Sequence, residues 1–187
     1  MTQGMNKALF LDRDGVINHD SGYTSRKENF VFIDGIFDLC RAAVQLGYNL
    51  VVVTNQAGIG RGLYTDQDFV DLTAWMHEQF VLQGCEITEV FYCPFHPVHG
   101  VGSYKQDSFD RKPNPGMLLR AAEKYSINLA ESMMVGDKES DMEAALNAGA
   151  GVRCQYIAYG RDETPIPAAT HVIRTLTEAI PLLSQQT

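Results

Sequence analysis

The 187-residue sequence lacks any long apolar segment: no run of apolar residues approaches the roughly 20 that cross a bilayer. It also has no proline-, serine- or glycine-rich linker and no block of like charge that would divide it. The N-terminal MTQGMNKALFLD has no extended apolar part ending in a small-residue cleavage site. We therefore expect one domain over residues 1–187 that resides in the cytoplasm and does not associate with a membrane.

Cysteines and basic residues are also scarce. The four cysteines are not spaced as pairs, and Cys40 and Cys85 lie in apolar stretches, so we expect reduced, buried thiols. The formal net charge is −8, with 15 basic and 23 acidic residues. Because this charge repels polyanions at long range, it disfavours nucleic-acid partners, although a local basic cluster could still bind a small anionic substrate. We expect the protein to act as a monomer.

Short apolar runs alternate with amphipathic segments along most of the chain. The runs predict buried parallel strands at 7–12, 49–55, 88–93, 132–137 and 152–158, with a weaker strand at 170–174. Helical spacing occurs at 36–47, 65–84, 114–126, 139–149 and 176–183. The expected helix starts are Thr65 and Asn114, and the expected ends are Gly47, Gly84 and Gly149. This order predicts a three-layer α/β/α Rossmann-like fold around a parallel sheet.

The segment FLDRDGVIN places two carboxylates at the end of the first strand. Asp12 and Asp14 are separated by one residue, and Gly15 allows a tight turn after them. Two carboxylates this close suit a shared Mg²⁺ and a proton-transfer task, although turns and helix caps also use aspartate freely. Ligands of such sheets bind beyond the carboxyl ends of the strands, so this pair marks a candidate site.

Three other strand or helix ends carry polar groups that the same edge of the sheet would gather. Thr54, Asn55 and Gln56 end the second strand and precede Gly58, Gly60 and Gly62, a strand-exit loop or a phosphate cradle. Arg111 and Lys112 come just before a predicted helix. Asp137 and Asp141 begin the next helix, where a carboxylate can also simply complement the helix dipole.

In their chain order, these motifs resemble those of the haloacid dehalogenase superfamily of phosphatases over about residues 6–158. The matching segments are Asp12-Arg13-Asp14-Gly15, Thr54, Lys112 and Gly136-Asp137-x-x-x-Asp141. The resemblance implies that Asp12 attacks phosphorus and that Asp14 serves as acid and base. It also implies that Thr54 and Lys112 bind phosphoryl oxygens and that Asp141 orients Lys112 or a metal-bound water. Mg²⁺ would be held by Asp12, the carbonyl of Asp14 and Asp137.

Within the superfamily, LFLDRDGVIN, TNQAGIGRGLYT, RKPNPGML and MVGDKESDMEAALNAG resemble the heptose-bisphosphate phosphatases, which make precursors of bacterial surface glycans. The chain leaves no room for a large cap domain. The resemblance implies substrate contacts at Arg13, Asp20, Ser21, Gly22, Tyr23, Asn55, Gln56, Arg111 and Lys138. Histidinol-phosphate phosphatases and other small-sugar phosphatases share much of this pattern and remain alternatives. A catalytically silent sugar-phosphate-binding module is a remote one.

Residues 93–110 depart from the family pattern. Heptose-bisphosphate phosphatases usually bind a structural zinc here through a Cys-x-His and a Cys-x-Cys pair. The matching positions in this chain are Cys93, Phe95, Ser108 and Asp110, so one ligand of four remains. We expect no zinc, with Phe95 and Tyr104 supplying apolar contacts instead; a rebuilt site of Cys93, His96 and His99 is the weaker alternative.

Overall fold

The computed structural model describes residues 6–161 and 164–184. Its six parallel strands form one sheet in the order β3-β2-β1-β4-β5-β6. The strands are β1 (Lys7–Leu11), β2 (Tyr48–Asn55), β3 (Glu89–Cys93), β4 (Met133–Gly136), β5 (Val152–Tyr156) and β6 (His171–Ile173). The predicted fold class is confirmed, and all six predicted strands form.

Helices cover both faces of the sheet. They are α1 (Ile36–Gln45), α2 (Ala57–Gly60), α3 (Asp66–Leu82), α4 (Gly116–Tyr125), α5 (Glu139–Ala148) and α6 (Ile180–Leu183). Alternate residues of β1 serve the two faces: Leu9 and Leu11 pack in the core beneath α1 and α3, whereas Phe10 packs in the core beneath α4 and α5. Within the described ranges, no helix is long and apolar enough to cross a membrane.

Most predicted helix boundaries hold. Thr65 caps α3 with a reciprocal hydrogen-bond pair to Asp68, which is a capping box. The predicted end glycines Gly47, Gly84 and Gly149 follow α1, α3 and α5. The predicted cap at Asn114 is wrong: α4 begins at Gly116, and the Asn114 amide donates instead to the backbone carbonyl of Ser108.

The strand order places the candidate site. Strands β2 and β3 extend from one side of β1, and β4, β5 and β6 extend from the other. The chain therefore reverses its winding direction between β1 and β4, where the loops diverge and leave a crevice at the carboxyl edge. Asp12 follows β1 and Asp137 follows β4, so both carboxylates lie at this crevice.

Candidate active site

Lys112 joins two carboxylates at the crevice. Its Nζ lies 2.8 Å from Oδ1 of Asp12 and 2.6 Å from Oδ1 of Asp141. It also donates a 2.7 Å hydrogen bond to the carbonyl of Val53. Burial, with only 3% of Lys112 exposed, lowers the pKa of this lysine, but the two carboxylates outweigh that effect and raise it. Lys112 is therefore held as a cation between Asp12 and Asp141.

The backbone of Lys112 is fixed by Asn55, at the end of β2. The Asn55 amide donates to the Lys112 carbonyl at 3.0 Å and accepts from the Lys112 N–H at 3.1 Å. This paired contact spans 57 positions of sequence and connects β2 to the segment before α4. Asn55 was predicted as a substrate contact; it borders the cavity, but both ends of its amide hold Lys112.

Asp14 is surrounded by hydrogen-bond donors. Nη2 of Arg13 lies 3.0 and 2.8 Å from its two carboxylate oxygens, and the Asn18 amide donates to Oδ1 at 3.0 Å. The Arg13 side chain is 1% exposed and also donates to the carbonyl of Thr24. Arg13, predicted as a substrate contact, does not line the cavity, and its guanidinium holds Asp14.

Gln56 connects Asp14 to the Thr54 hydroxyl. Its Nε2 donates to Thr54 Oγ1 at 2.8 Å and to Asp14 Oδ2 at 3.2 Å. Its Oε1 accepts a hydrogen bond from the hydroxyl of Tyr64. Gln56, another predicted substrate contact, borders the cavity with 1% of its surface exposed. Its amide makes hydrogen bonds to Thr54, Asp14 and Tyr64.

Asp137 approaches the backbone of the first motif. A Cβ at Gly15 would lie 2.2 Å from Asp137 Oδ2, so only glycine permits this contact; Gly15 also has φ 99°. One oxygen of the buried Asp137 carboxyl, Oδ1, has no hydrogen-bond partner. Burial first, and the nearby charge of Asp12 second, raise the pKa of Asp137 to about 8. Burial and Asp141 likewise raise the pKa of Asp12.

These groups surround a cavity of about 390 Å³. The predicted residues that line it are Asp12, Asp14, Asp20, Gly22, Tyr23, Thr54, Asn55, Gln56, Arg111, Lys112, Lys138 and Asp141. Arg13, Ser21 and Asp137 are outside this lining: the Ser21 hydroxyl lies 3.1 Å from that of Thr24, and Asp137 lines a separate, smaller pocket of about 30 Å³. Of the three cradle glycines, only Gly58 borders the cavity, because residues 57–60 form α2 and Gly60 packs against Pro94.

Three further residues of the lining, Ala57, Tyr64 and Ser140, were not among the predicted site residues. Ser140 lies between Asp137 and Asp141 at the start of α5, and its position in that motif was an available signal. Tyr64 lies in the segment TNQAGIGRGLYT that carries the family resemblance, which was an available signal, although its residue type alone does not distinguish it from a core aromatic residue.

Two contacts close the rim of the cavity. Nζ of Lys138 lies 3.1 Å from Asp20 Oδ2. Burial raises the pKa of Asp20, but the N–H of Gly22 and the ammonium of Lys138 outweigh it, so the net pKa is lowered. Opposite them, Tyr23 has φ 53°, and the Arg61 guanidinium lies 5.2 Å from its ring centroid and donates to its hydroxyl.

The chain is similar to curated phosphatases over nearly its whole length. It is 51% identical over 180 residues to the D-glycero-alpha-D-manno-heptose-1,7-bisphosphate 7-phosphatase of Burkholderia mallei, covering 96% of this chain and 94% of that protein. It is 42% identical over 181 residues to the D-glycero-beta-D-manno-heptose-1,7-bisphosphate 7-phosphatase of Escherichia coli K12, with coverages of 96% and 94%. The chain belongs to the heptose-1,7-bisphosphate 7-phosphatase family. The predicted enzyme class, a phosphatase, is thereby confirmed.

Other comparisons agree with this family. The HAD-hydrolase-like family model matches residues 109–179. A HAD-like phosphatase from Mesorhizobium loti superposes with a TM-score of 0.85 at 32% identity, covering 97% of this chain and 88% of that one. The D,D-heptose 1,7-bisphosphate phosphatase of B. bronchiseptica, complexed with magnesium and phosphate, gives 0.82 at 28% identity with coverages of 97% and 99%.

The carboxylates of this family member fit a divalent cation. Asp12, Asp137 and Asp141 each offer an oxygen within 4.8 Å of the others, and all three are buried. Oδ1 of Asp137 has no hydrogen-bond partner among the described residues, and burial raises the pKa values of Asp12 and Asp137, so a bound cation would favour their ionised forms. A cluster of carboxylate oxygens suits a hard cation such as Mg²⁺. Asp141, predicted to orient Lys112 or a metal-bound water, lies 2.6 Å from Lys112 Nζ and is also one of the three clustered carboxylates.

Residues 93–110, the family's zinc-loop region, are held here by protein contacts. The rings of Phe95 and Tyr104 lie 5.9 Å apart, and the Tyr104 hydroxyl donates to Asp66 at 2.7 Å. The N–H of Val101 donates to the carbonyl of Gly60 at 2.8 Å. The expected apolar replacement contact between Phe95 and Tyr104 is therefore present.

The alternative of a rebuilt zinc site finds no support in the positions of these side chains. His96 Nδ1 accepts hydrogen bonds from the N–H groups of Val98 and His99, so this nitrogen closes a backbone turn. Among the residues that the structure describes, Cys93, His96 and His99 do not bring ligand atoms within 4.8 Å of one another. The Cys93 thiol is fully buried, and burial raises its pKa, which disfavours the thiolate that zinc requires. Absence of zinc remains a prediction.

Proposed function

We propose that this protein is a Mg²⁺-dependent phosphatase that removes the 7-phosphate of D-glycero-D-manno-heptose 1,7-bisphosphate. The observation that carries this proposal is the buried ion pair between Asp12 and Lys112, which borders a cavity that Arg111 and Lys138 also line. A carboxylate nucleophile beside a fixed cation suits phosphoryl transfer, because the cation offsets the repulsion between two anions. The names of the relatives supply the substrate.

In the first step, a carboxylate oxygen of Asp12 attacks phosphorus while the bond from phosphorus to the C7 oxygen breaks. Asp14 gives its proton to the departing alkoxide. In the second step, Asp14 takes a proton from water, the water oxygen bonds to phosphorus, and the aspartyl-phosphate bond breaks. Inorganic phosphate leaves, and Asp12 and Asp14 return to their starting states. Thr54 and Lys112 bind the transferring oxygens throughout.

Mg²⁺ would be held by Asp12, the carbonyl of Asp14 and Asp137, and by Asp141 directly or through water. When bound, it would supply charge neutralisation between these carboxylates and the phosphoryl group. The protein contributes a preformed set of oxygens, because Gly15 lets Asp137 approach the first motif and Lys112 holds Asp12 and Asp141.

The rim residues would select a sugar that carries a second phosphate. Arg111 borders the cavity, and its Nη1 donates to the carbonyl of Phe95 at 3.1 Å, which fixes its direction. Lys138 also borders the cavity, and its pKa is raised: burial lowers it, but Asp137 and Asp12 outweigh that effect. Two fixed cations suit the C1 phosphate, and the polar groups of Asp20 and Tyr23 suit sugar hydroxyls.

We further propose a cytoplasmic enzyme in the synthesis of heptose precursors for bacterial surface glycans, acting as a monomer without nucleic-acid or membrane partners. The heptose bisphosphate substrate in the names of the relatives supports the setting. The monomer is supported by a site assembled from residues of a single chain.

A specificity profile tests the substrate. We would measure kcat/KM in Mg²⁺ for both anomers of the heptose bisphosphate, for histidinol phosphate and for a panel of sugar monophosphates. We expect one heptose bisphosphate anomer to exceed every monophosphate by at least about 10²-fold, the scale of one fixed charge-assisted contact. A preference for histidinol phosphate would overturn the substrate and leave the reaction class intact.

A further inference from the structure

The orientation of the Gln56 amide is determined by its neighbours. Both oxygens of Asp14 accept hydrogen bonds from Arg13 Nη2, and Gln56 Nε2 lies 3.2 Å from Asp14 Oδ2, so the amide nitrogen faces this carboxyl group as a further donor. The amide oxygen then faces Tyr64, whose hydroxyl must donate to it. Burial raises the pKa of Tyr64 to about 12, so this proton stays on the phenol at neutral pH. The chain of donation therefore runs in one direction, from Tyr64 through Gln56.

This direction fixes the role of the Thr54 hydroxyl. Gln56 Nε2 lies 2.8 Å from Thr54 Oγ1 and donates to it, so the threonine oxygen is an acceptor in this contact. A hydroxyl has one proton, and the proton of Thr54 is then available to a different acceptor. Thr54 is 1% exposed and borders the cavity, where a phosphoryl oxygen would supply that acceptor.

We propose that Gln56, oriented by Tyr64, is a positioning residue that aims the Thr54 hydroxyl proton at the transferring phosphoryl group. The inference rests on the proposed phosphatase mechanism and adds two residues to it. Without the amide donor, the Thr54 hydroxyl can rotate and point its proton away from the phosphoryl group. It would then have to be reoriented in each turnover. The benefit of Gln56 is preorganisation of a donor whose contact strengthens in the transition state.

Three substitutions change this network in different ways. Gln56→Leu removes the donor, and we expect kcat to fall about 10- to 50-fold with KM changed less than 3-fold, below the 10²- to 10³-fold cost of losing a whole oxyanion donor. Gln56→Glu adds an acceptor that competes for the Thr54 proton, and we expect a loss of at least about 10²-fold. Tyr64→Phe frees the amide to turn, and we expect a 3- to 10-fold loss in kcat.

A double-mutant cycle separates positioning from a general structural effect. In a Thr54→Val background, which has no hydroxyl to aim, Gln56→Leu should lower kcat less than 3-fold. Tyr64→Phe should likewise change kcat less than 2-fold in a Gln56→Leu background, because it acts only through Gln56. Thr54→Ser, which keeps the hydroxyl, should retain the full response to Gln56→Leu.

The matched controls lie away from the site. Gln67→Leu removes a surface amide that donates to Asp71, and Tyr125→Phe removes a hydroxyl that donates to Glu89. Both should keep the wild-type kcat. Thermal unfolding checks each variant. If Gln56→Leu does not fold, Tyr64→Phe, which keeps the shape of the side chain, carries the test: in a Thr54→Val background it should change kcat less than 2-fold.

The result separates two failures. If the wild type releases no phosphate from any monoester in Mg²⁺, the proposed function fails. The positioning role is overturned if the wild type is active but Gln56→Leu keeps the wild-type kcat. It is also overturned if Gln56→Leu lowers kcat by the same factor in the Thr54→Val background as in the wild type. A rise in KM alone for Tyr64→Phe would also overturn it, because Tyr64 would then contact the substrate directly.

Discussion

The α-carbon of Gly15 faces the carboxylate of Asp137 so closely that a Cβ there would lie 2.2 Å from Oδ2. The contact brings the loop after β1 against the residue after β4, at the point where the strand order reverses. Two segments that are more than 120 residues apart in sequence thus form one acidic cluster. The glycine of the first motif is therefore part of the cation site, although it offers no ligand side chain.

Comparing Gly15→Ala with a control glycine variant should distinguish the effect of displacing Asp137 from the effect of backbone strain alone. The new methyl group must displace Asp137, and we expect kcat/KM to fall about 10²-fold, the scale of a displaced catalytic group. Gly47→Ala is the matched control, because Gly47 also has a positive φ, of 78°, but a Cβ there meets nothing within 4 Å. Both variants should lose about 1 kcal/mol of stability from the left-handed backbone. Equal kcat/KM values for the two variants would refute the role of Gly15.

Asp12→Asn should abolish turnover. An amide oxygen is a poor nucleophile, and the substitution also removes the charge that pairs with Lys112 at 2.8 Å. We expect kcat to fall roughly 10⁴-fold or more, as after loss of a nucleophile. Asp38→Asn, which alters an exposed pair with Arg41, controls for the chemical change. Retained hydrolysis by purified Asp12→Asn protein would remove Asp12 from the mechanism.

The metal-free protein should lose stability as pH rises. The folded-state pKa of Asp137 is about 8 and the unfolded value about 4, so between them the folded state keeps a proton that the unfolded state releases. The free energy of unfolding should therefore fall by a few kcal/mol from about pH 4 to pH 8 and then level off. Denaturant titration after chelation measures it.

Asp137→Asn isolates this effect, because its side chain does not titrate and the variant should lack most of the pH dependence. Added Mg²⁺ should stabilise the wild type more at pH 8 than at pH 5, because the cation binds the ionised carboxylate. Identical pH profiles for the metal-free wild type and Asp137→Asn would contradict the shifted pKa.

Protein purified without chelator should contain little zinc. Cys93 is buried, His96 Nδ1 closes a backbone turn, and Phe95 occupies the position of a histidine ligand. Elemental analysis should find well below one equivalent per chain. One tightly retained equivalent would show that the 93–110 region binds zinc through an arrangement different from the one described.

The sequence was most informative for features that depend on local residue type, namely the buried strands and the helix cap at Thr65. Runs such as NLVVVTN can only be buried, so the strands were predictable, and chain order then brought Asp12, Thr54, Lys112 and Asp137 to one edge. Residue type also predicted the cap at Thr65, because its hydroxyl and the Asp68 carboxylate satisfy each other locally.

The sequence could not predict side-chain contacts where the direction of a side chain depends on distant partners. Arg13 is next to two site carboxylates in the sequence, but its guanidinium turns inward because Asp14 and the carbonyl of Thr24 both accept from it. Gln56 and Asn55 were assigned to the substrate, yet Tyr64 and Lys112 engage their amides. Local sequence cannot specify such contacts, since each partner comes from another segment.

The regiochemistry of the reaction tests the central claim most directly. Phosphorus NMR of the heptose bisphosphate during turnover distinguishes the C7 phosphomonoester from the anomeric C1 phosphate. We predict that the C7 resonance is replaced by that of inorganic phosphate while the C1 resonance persists, and that chelation of Mg²⁺ stops the change. Loss of the C1 phosphate first, or no phosphate release in Mg²⁺ by an enzyme that hydrolyses other phosphomonoesters, would contradict the account.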